Sequence, residues 1–247
     1  MSRDDPCAAS PVRLGLAAAR TNIVPAAIIA VVAIGVLAGY RHWPAFHDTL
    51  EVVRSWKERF GFGFSAVSTG IFGGFLPVLF RLIPRETRRD PQWRHLPFFV
   101  GFWACKGVEV DALYRFQAWL FGDSPAAEVV VAKVFVDQFL YVPFWAVPTM
   151  MGAYLWKDSR FRIARTVRRL GARWYRNRCL PLLLANWGVW TPAVAVIYNL
   201  PLSLQLPLQN LVLCLFVLLV MILTRAETPD DQARPPGQNS KASPRER

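Results

Sequence analysis

The chain alternates long uncharged stretches with short, strongly charged ones. Thr21 to Tyr40 is twenty residues without a charge, Phe60 to Phe80 twenty-one, and Cys179 to Thr224 forty-six. A helix rises about 1.5 Å per residue and the hydrocarbon core is about 30 Å thick, so about twenty residues cross it. The third stretch is long enough for two crossings and divides at the Pro201–Pro207 segment, into 180–200 and 206–224. Two further apolar stretches carry charge within them. Leu96 to Phe121 holds Lys106, Glu109, Asp111 and Arg115, and Glu128 to Trp156 holds Lys133 and Asp137. Both have aromatic ends suited to the membrane interface. The pattern predicts an all-α, polytopic integral membrane helical bundle of about six spans. An extra N-terminal span over 21–40 precedes a core at 60–224, with spans near 60–80, 96–121, 128–156, 180–200 and 206–224. Residues 1–20 read as a cytoplasmic segment and 225–247 as a disordered cytoplasmic tail.

The charge of +12 changes meaning once it is placed on this topology. With the N-terminus cytoplasmic, twenty-two of the twenty-nine Lys and Arg residues fall on that side, in 1–20, 81–95, 157–178 and 225–247. Four lie on the other side, all in 41–59, and Lys106, Arg115 and Lys133 lie inside spans. That is a strong positive-inside bias, and it predicts both termini on the cytoplasmic side. Segment 157–178 spaces Phe161, Ala164, Val167, Gly171 and Trp174 as one face of a helix. Arg162, Arg165, Arg169, Arg173 and Arg176 stand on the remainder. The expectation is an amphipathic helix in the headgroup plane that attracts anionic lipid. Nucleic acid is not an expected partner, because no recognisable nucleic-acid-binding fold accompanies the arginines.

Chemistry is narrowed by what is missing. The cysteines form no C-x-x-C, and the three histidines have no ligand-spaced carboxylate, so no metal site and no cofactor is predicted. No motif for a zinc hydrolase or a serine nucleophile is present, and no catalytic residue is assigned. Ionisable residues in a span cost a few kcal/mol each and face protein or water. Lys106, Glu109, Asp111, Tyr114, Arg115, Gln117, Lys133, Asp137, Gln138, Pro143, Asn186, Trp187 and Asn199 are therefore the candidates for a pore or buried polar core. In antiparallel neighbours, residues at equal depth have numbers of constant sum. On that basis Lys106 is expected to face Asp137, and Glu109 to face Lys133, as a charge ladder. Asp111 and Arg115, four apart, are expected to pair along their own helix. Gly70 and Gly74 form a small-residue face for close helix contact.

The run Lys133-V-F-V-Asp137-Gln138-F-L-Y-V-Pro143 resembles the K-x3-D-Q-x4-P hallmark of the Mpv-seventeen/peroxisomal-membrane-protein-twenty-two family. Gly107 and Tyr114 hold the separation of that family's G-P-x2-H-x-W-Y pattern, with Val108, Asp111 and Leu113 in place of its Pro, His and Trp. The segment from Asn186 to Pro201 looks like its Trp-Pro stretch. The resemblance covers roughly 60–224 and implies a small organellar or bacterial inner-membrane protein, some relatives being described as weakly selective channels. Two functions follow as expectations. One is a pore for an unidentified small solute or ion, lined by the third and fourth spans. The other is a non-transporting protein that organises lipid or partners and whose buried charges hold the bundle together. A homo-oligomer is compatible with either. The excess of Arg over Lys favours a bacterial inner membrane over the mitochondrial inner or peroxisomal membrane.

Overall fold

A computed structural model describes residues 10–82 and 91–226. Among the described residues there is no strand, and nine helices follow one another. They are α1 (Pro11–Thr21), α2 (Ile23–His42), α3 (Pro44–Phe60), α4 (62–82), α5 (Leu96–Phe121), α6 (127–158), α7 (Ile163–Arg169), α8 (175–197) and α9 (Leu202–Ala226). Five are long and apolar enough to cross a membrane: Ile23–His42, Phe62–Arg81, Ala127–Asp158, Tyr175–Ile197 and the Leu202–Leu219 part of α9. The 26-residue α5 has the length, but four charges set it apart from those five. The tail beyond residue 226, the first nine residues and Arg85, Arg88 and Arg89 lie outside the described residues.

Local chemistry places the joints. Pro44 opens α3 where a missing N–H costs nothing. Gly61, at φ 52°, turns the chain from α3 into α4, and Gly122, at φ 86°, ends α5. Both conformations are left-handed and favour glycine. Three helices contain π turns, at Gly70–Phe75 in α4, Val136–Ala146 in α6 and Tyr175–Cys179 in α8.

Contacts fix the direction of each helix. A Cβ on Gly74 would come within 2.7 Å of the Val100 backbone, and one on Gly107 within 2.3 Å of the Ser65 carbonyl oxygen. So α4 and α5 run antiparallel and touch backbone to backbone, with the predicted Gly70 and Gly74 face at the contact. Glu109 reaches Tyr141 and Lys106 reaches Thr149, so α6 returns antiparallel to α5. Tyr175 bonds the carbonyl of Pro143 and Trp187 that of Gln138, which makes α8 antiparallel to α6. In turn α9 descends beside α4, with Ser203 on Glu58 and Asn210 on Ser68. Finally α1 and α2 rise parallel to α8: Gly15 sits against Pro181 and Leu184, and Ala19 lies nearest Gly188. The core is built by α2, α8 and α9, through Ile29, Ala33, Val189, Ala193, Ile197, Leu204 and Leu208 among others.

Two local expectations need correction. Segment 157–178 is not one amphipathic helix. Arg160 and Phe161 take φ 56° and 59°, which folds the Phe161 ring onto Trp156 and Phe98, at 5.0 and 5.6 Å between centroids. Only the short α7 is helical before the next turn, and Val167, which the spacing put on the apolar face beside Phe161, is exposed. Arg162, Arg169, Arg173 and Arg176 are exposed and Arg165 is half-buried. The last span begins at Leu202 rather than 206, because Pro207 is taken into α9.

Candidate functional site: a polar core around α5 and α6

The face of α5 toward α3 and α4 gathers one cluster. Asp111 accepts from Lys57 Nζ at 2.6 Å, from Ser65 Oγ at 2.8 Å and from Arg115 Nε at 3.2 Å. The Asp111–Arg115 pair is the one expected along the helix. Lys57 was counted with the far-side loop, yet it is 1% exposed and joins α3 to α5. Burial pushes the Lys57 ammonium below the usual lysine range, and Asp111 beside it only partly offsets this. Arg115 leaves the core, with its guanidinium over the Phe62 ring at 5.0 Å and its side chain 45% exposed. One turn away, Thr69 donates to Asn210 Oδ1 and Asn210 donates to Ser68, both at 3.0 Å.

The opposite face of α5 meets α6 and α8 along a second set of polar groups. At the loop end, Lys133 Nζ is buried 3.6 Å from Asp123 Oδ1 and 5.7 Å from the Tyr198 ring centroid, without a hydrogen-bond partner. Next, Gln117 Nε2 donates to the Tyr198 hydroxyl, which donates to Asp137 Oδ2, each at 2.8 Å. Gln138 Nε2 donates to Asp137 Oδ1 at 3.1 Å. Tyr141, four residues further along α6, donates to Glu109, which also accepts from Lys106 Nζ at 2.7 Å. Lys106 ends the series on Thr149 Oγ1 at 2.7 Å. Tyr114 packs edge-on against Tyr198, 5.3 Å between centroids, and donates to Gln209 on α9.

The predicted charge ladder is therefore not formed. Lys106 meets Thr149 rather than Asp137, and Glu109 meets Tyr141 rather than Lys133. The displacement is roughly two to three helical turns. Charge matching ignores the short 122–126 loop, which moves the facing residues of α6 toward the observed partners without accounting for the whole displacement. The charged members of the predicted polar core are also redrawn. Lys57, from outside the predicted spans, is buried on Asp111, whereas Arg115 and Asp123, the latter beside the buried Lys133, are exposed.

Pro143 is explained by the π turn. In an i→i+5 ladder Pro143 would bond Gln138, and having no N–H it leaves that carbonyl open. The indole of Trp187 donates to it at 2.8 Å. Gln138 also accepts weakly from Thr191, at 3.5 Å. Asn199 bonds only its own helix, at Ala195, and the half-buried Asn186 stays outside the network. Sequence reading did not assign Lys57, Ser65, Thr69, Thr149, Tyr198, Gln209 or Asn210 to the core. Each is a polar side chain of a type common at interfaces, and only its neighbours in the fold distinguish it.

No protein-family model, curated protein or solved structure matches this chain. Among the described residues no group of three or more His, Cys, Asp or Glu side chains is placed to hold a metal ion.

Proposed function

We propose that this chain is a six-span membrane protein in which the seam between α5 and α6 conducts a small ion or solute. On this reading α5 is the sixth span, and the segments rich in arginine face the cytoplasm of a bacterial-type inner membrane. The observation that carries it is the order of polar groups along the seam. From Asp123 at one end of the bundle it passes Lys133, then Gln117, Tyr198 and Asp137, then Tyr141, Glu109, Lys106 and Thr149 toward the other. A helix that is polar on two faces has to meet protein or water on both, and α5 is such a helix. The residues of the K-x3-D-Q-x4-P run, Lys133, Asp137, Gln138 and Pro143, are all buried in or beside the seam, so this reading gives the run a place on the conduction path.

A second reading, a non-transporting bundle held by its polar core, is favoured by one specific feature. Lys106, Glu109 and Asp137 each already hold two protein partners. Purified protein in liposomes separates the two readings. Ion or solute flux that Asp137→Asn abolishes, with the fold intact by circular dichroism, supports conduction. Absence of flux under every gradient and voltage, from folded protein, favours the structural reading.

A further inference from the structure

The elbow between α3 and α4 holds an apolar groove of about 590 Å³, walled by Trp56, Phe60, Phe64, Val67 and Ile71. It runs along α4 as far as Phe72, and Gly63 also lines it. From Gly61 to Phe72 is roughly 16 Å at 1.5 Å per residue. Half of a hydrocarbon core about 30 Å thick is about 15 Å, so the groove is one leaflet deep. Its polar end is set by α3. Arg54 of α3 is bonded to Glu58 at 2.9 Å and to Glu51 at 3.3 Å, and Lys57 is bonded to Asp111. Arg59 is the exception in α3. It is exposed, it pairs with no carboxylate among the described residues, and its guanidinium lies 5.5 Å from the centroid of the groove-lining Phe60 ring. Trp56, three residues before Arg59 on α3, walls the same groove, and indoles favour the interface between headgroups and acyl chains.

We infer that this groove is a binding site for one anionic phospholipid of the leaflet at this end of the bundle. An acyl chain lies along α4 between Phe60 and Phe72, and the headgroup phosphate rests on Arg59. The apolar walls select the chain and the unpaired guanidinium selects the phosphate. The site is separate from the arginine-rich 157–178 segment, whose Phe161 packs on Phe98 at the other end of the bundle. It is also independent of conduction through the seam.

Gly63 gives the test a clean handle, because a Cβ built there meets nothing within 4 Å. A larger side chain at 63 fills the groove without pressing on the protein. The full chain is reconstituted in phosphatidylcholine vesicles containing a few per cent of phosphatidylglycerol with a photoreactive mid-chain diazirine, and adducts are mapped by peptide. The expected result is labelling concentrated within 56–72, retained in Gly63→Ala and lost in Gly63→Trp. Arg59→Gln lowers it about fivefold, equivalent to the ~1 kcal/mol of one basic residue beside an anionic lipid. Excess unlabelled phosphatidylglycerol competes and phosphatidylcholine does not, a readout that needs no variant. Labelling spread over all lipid-facing helices in proportion to exposed area overturns the proposal. So does labelling that Gly63→Trp leaves unchanged, or equal competition by both lipids with no effect of Arg59→Gln.

Discussion

On the side of α5 that meets α3 and α4, Asp111 is held by Lys57 at 2.6 Å, and the helices approach so closely that Gly107 has no room for a Cβ. On the side that meets α6 and α8, Asp137 is held by a hydroxyl and an amide, and Glu109 by a hydroxyl and by Lys106 of its own helix. The Lys133 ammonium and the Gln117 side-chain oxygen have no hydrogen-bond partner. The first side has the character of a fastener: direct ion pairing, short range and backbone contact. The second has that of a path, with rotatable donors in series and open bonding capacity. Lipid supplies no hydrophobic force between helices, so close packing and interhelical hydrogen bonds must hold the bundle. The contrast assigns that task chiefly to the α4 side of α5.

The sharpest way to break this contrast is to strip one partner from the fastener. Lys57→Met leaves Asp111 buried with only Ser65 and the half-exposed Arg115, and removing one partner of a buried pair costs about 3–5 kcal/mol. The retained Arg115 contact puts the expected loss at the lower end. Reversible unfolding in mixed micelles measures it, and Lys57→Met with Asp111→Leu should recover part of the loss. A double variant no better than the single one removes the ion pair from the account.

Backbone proximity comes next. Gly107→Ala sets a methyl group 2.3 Å from the Ser65 carbonyl oxygen and 2.5 Å from Thr69 Oγ1, so α4 must move away. Overpacking of this kind costs about 1–3 kcal/mol. Gly101 lies on the same helix with nothing within 4 Å of its Cβ position, and Gly101→Ala should stabilise by about 0.5–1 kcal/mol through helix propensity. Equal effects at the two positions would mean that helix propensity, not the α4 contact, decides the outcome.

On the seam side, Tyr198→Phe removes the hydroxyl that links Gln117 to Asp137. Leaving those buried groups short of a partner costs about 1–3 kcal/mol, toward the lower end because Gln138 still serves Asp137. Its value lies in a second measurement. If the seam is a path, flux in liposomes falls while the remaining folded protein is unchanged by circular dichroism. If the seam is only another fastener, unfolding shifts and no transport property follows it.

Much of this arrangement was legible in the spacing of charges. Helix type, five of the six expected spans as helices long and apolar enough to cross a membrane, the Asp111–Arg115 pair and the Gly70 and Gly74 contact all follow from periods and lengths. The partners of Lys106 and Glu109 did not follow, because charge matching across a hairpin ignores the register that its short loop imposes. Lys57 was hidden for a different reason. Its residue type and its loop neighbours point to solvent, and only the turn at Gly61 brings α3 back against α5. The π turn in α6 has no period of its own. Pro143 and Trp187 become intelligible together only once Gln138 is seen to need a donor from outside its helix.

The smallest effect contrasts two neighbours on α3. Glu58 accepts from Arg54 and from Ser203, each at 2.9 Å, and ties α3 to the start of α9 at the surface. Arg54 first, then Ser203, hold its carboxyl below the usual carboxylate range. A carboxylate whose pKa is lower in the folded state contributes stability above its ordinary pKa and loses it as pH falls through the lowered value. Lys57, one residue earlier, has a slope of the same sign but in a far more alkaline range. Burial lowers an ammonium's pKa, the unfolded chain then holds the proton more tightly, and stability rises as pH passes from the lowered value to the ordinary one. Comparing the parent with Glu58→Gln during acid titration should show a small stability gap at neutral pH that closes toward pH 3, modest because the site is exposed and screened. The corresponding gap for Lys57→Met should stay open through the same acid range. If instead Lys57→Met opens no gap at neutral pH, the buried pair with Asp111 contributes nothing, and the assignment of the fastener to the α4 side of α5 fails with it.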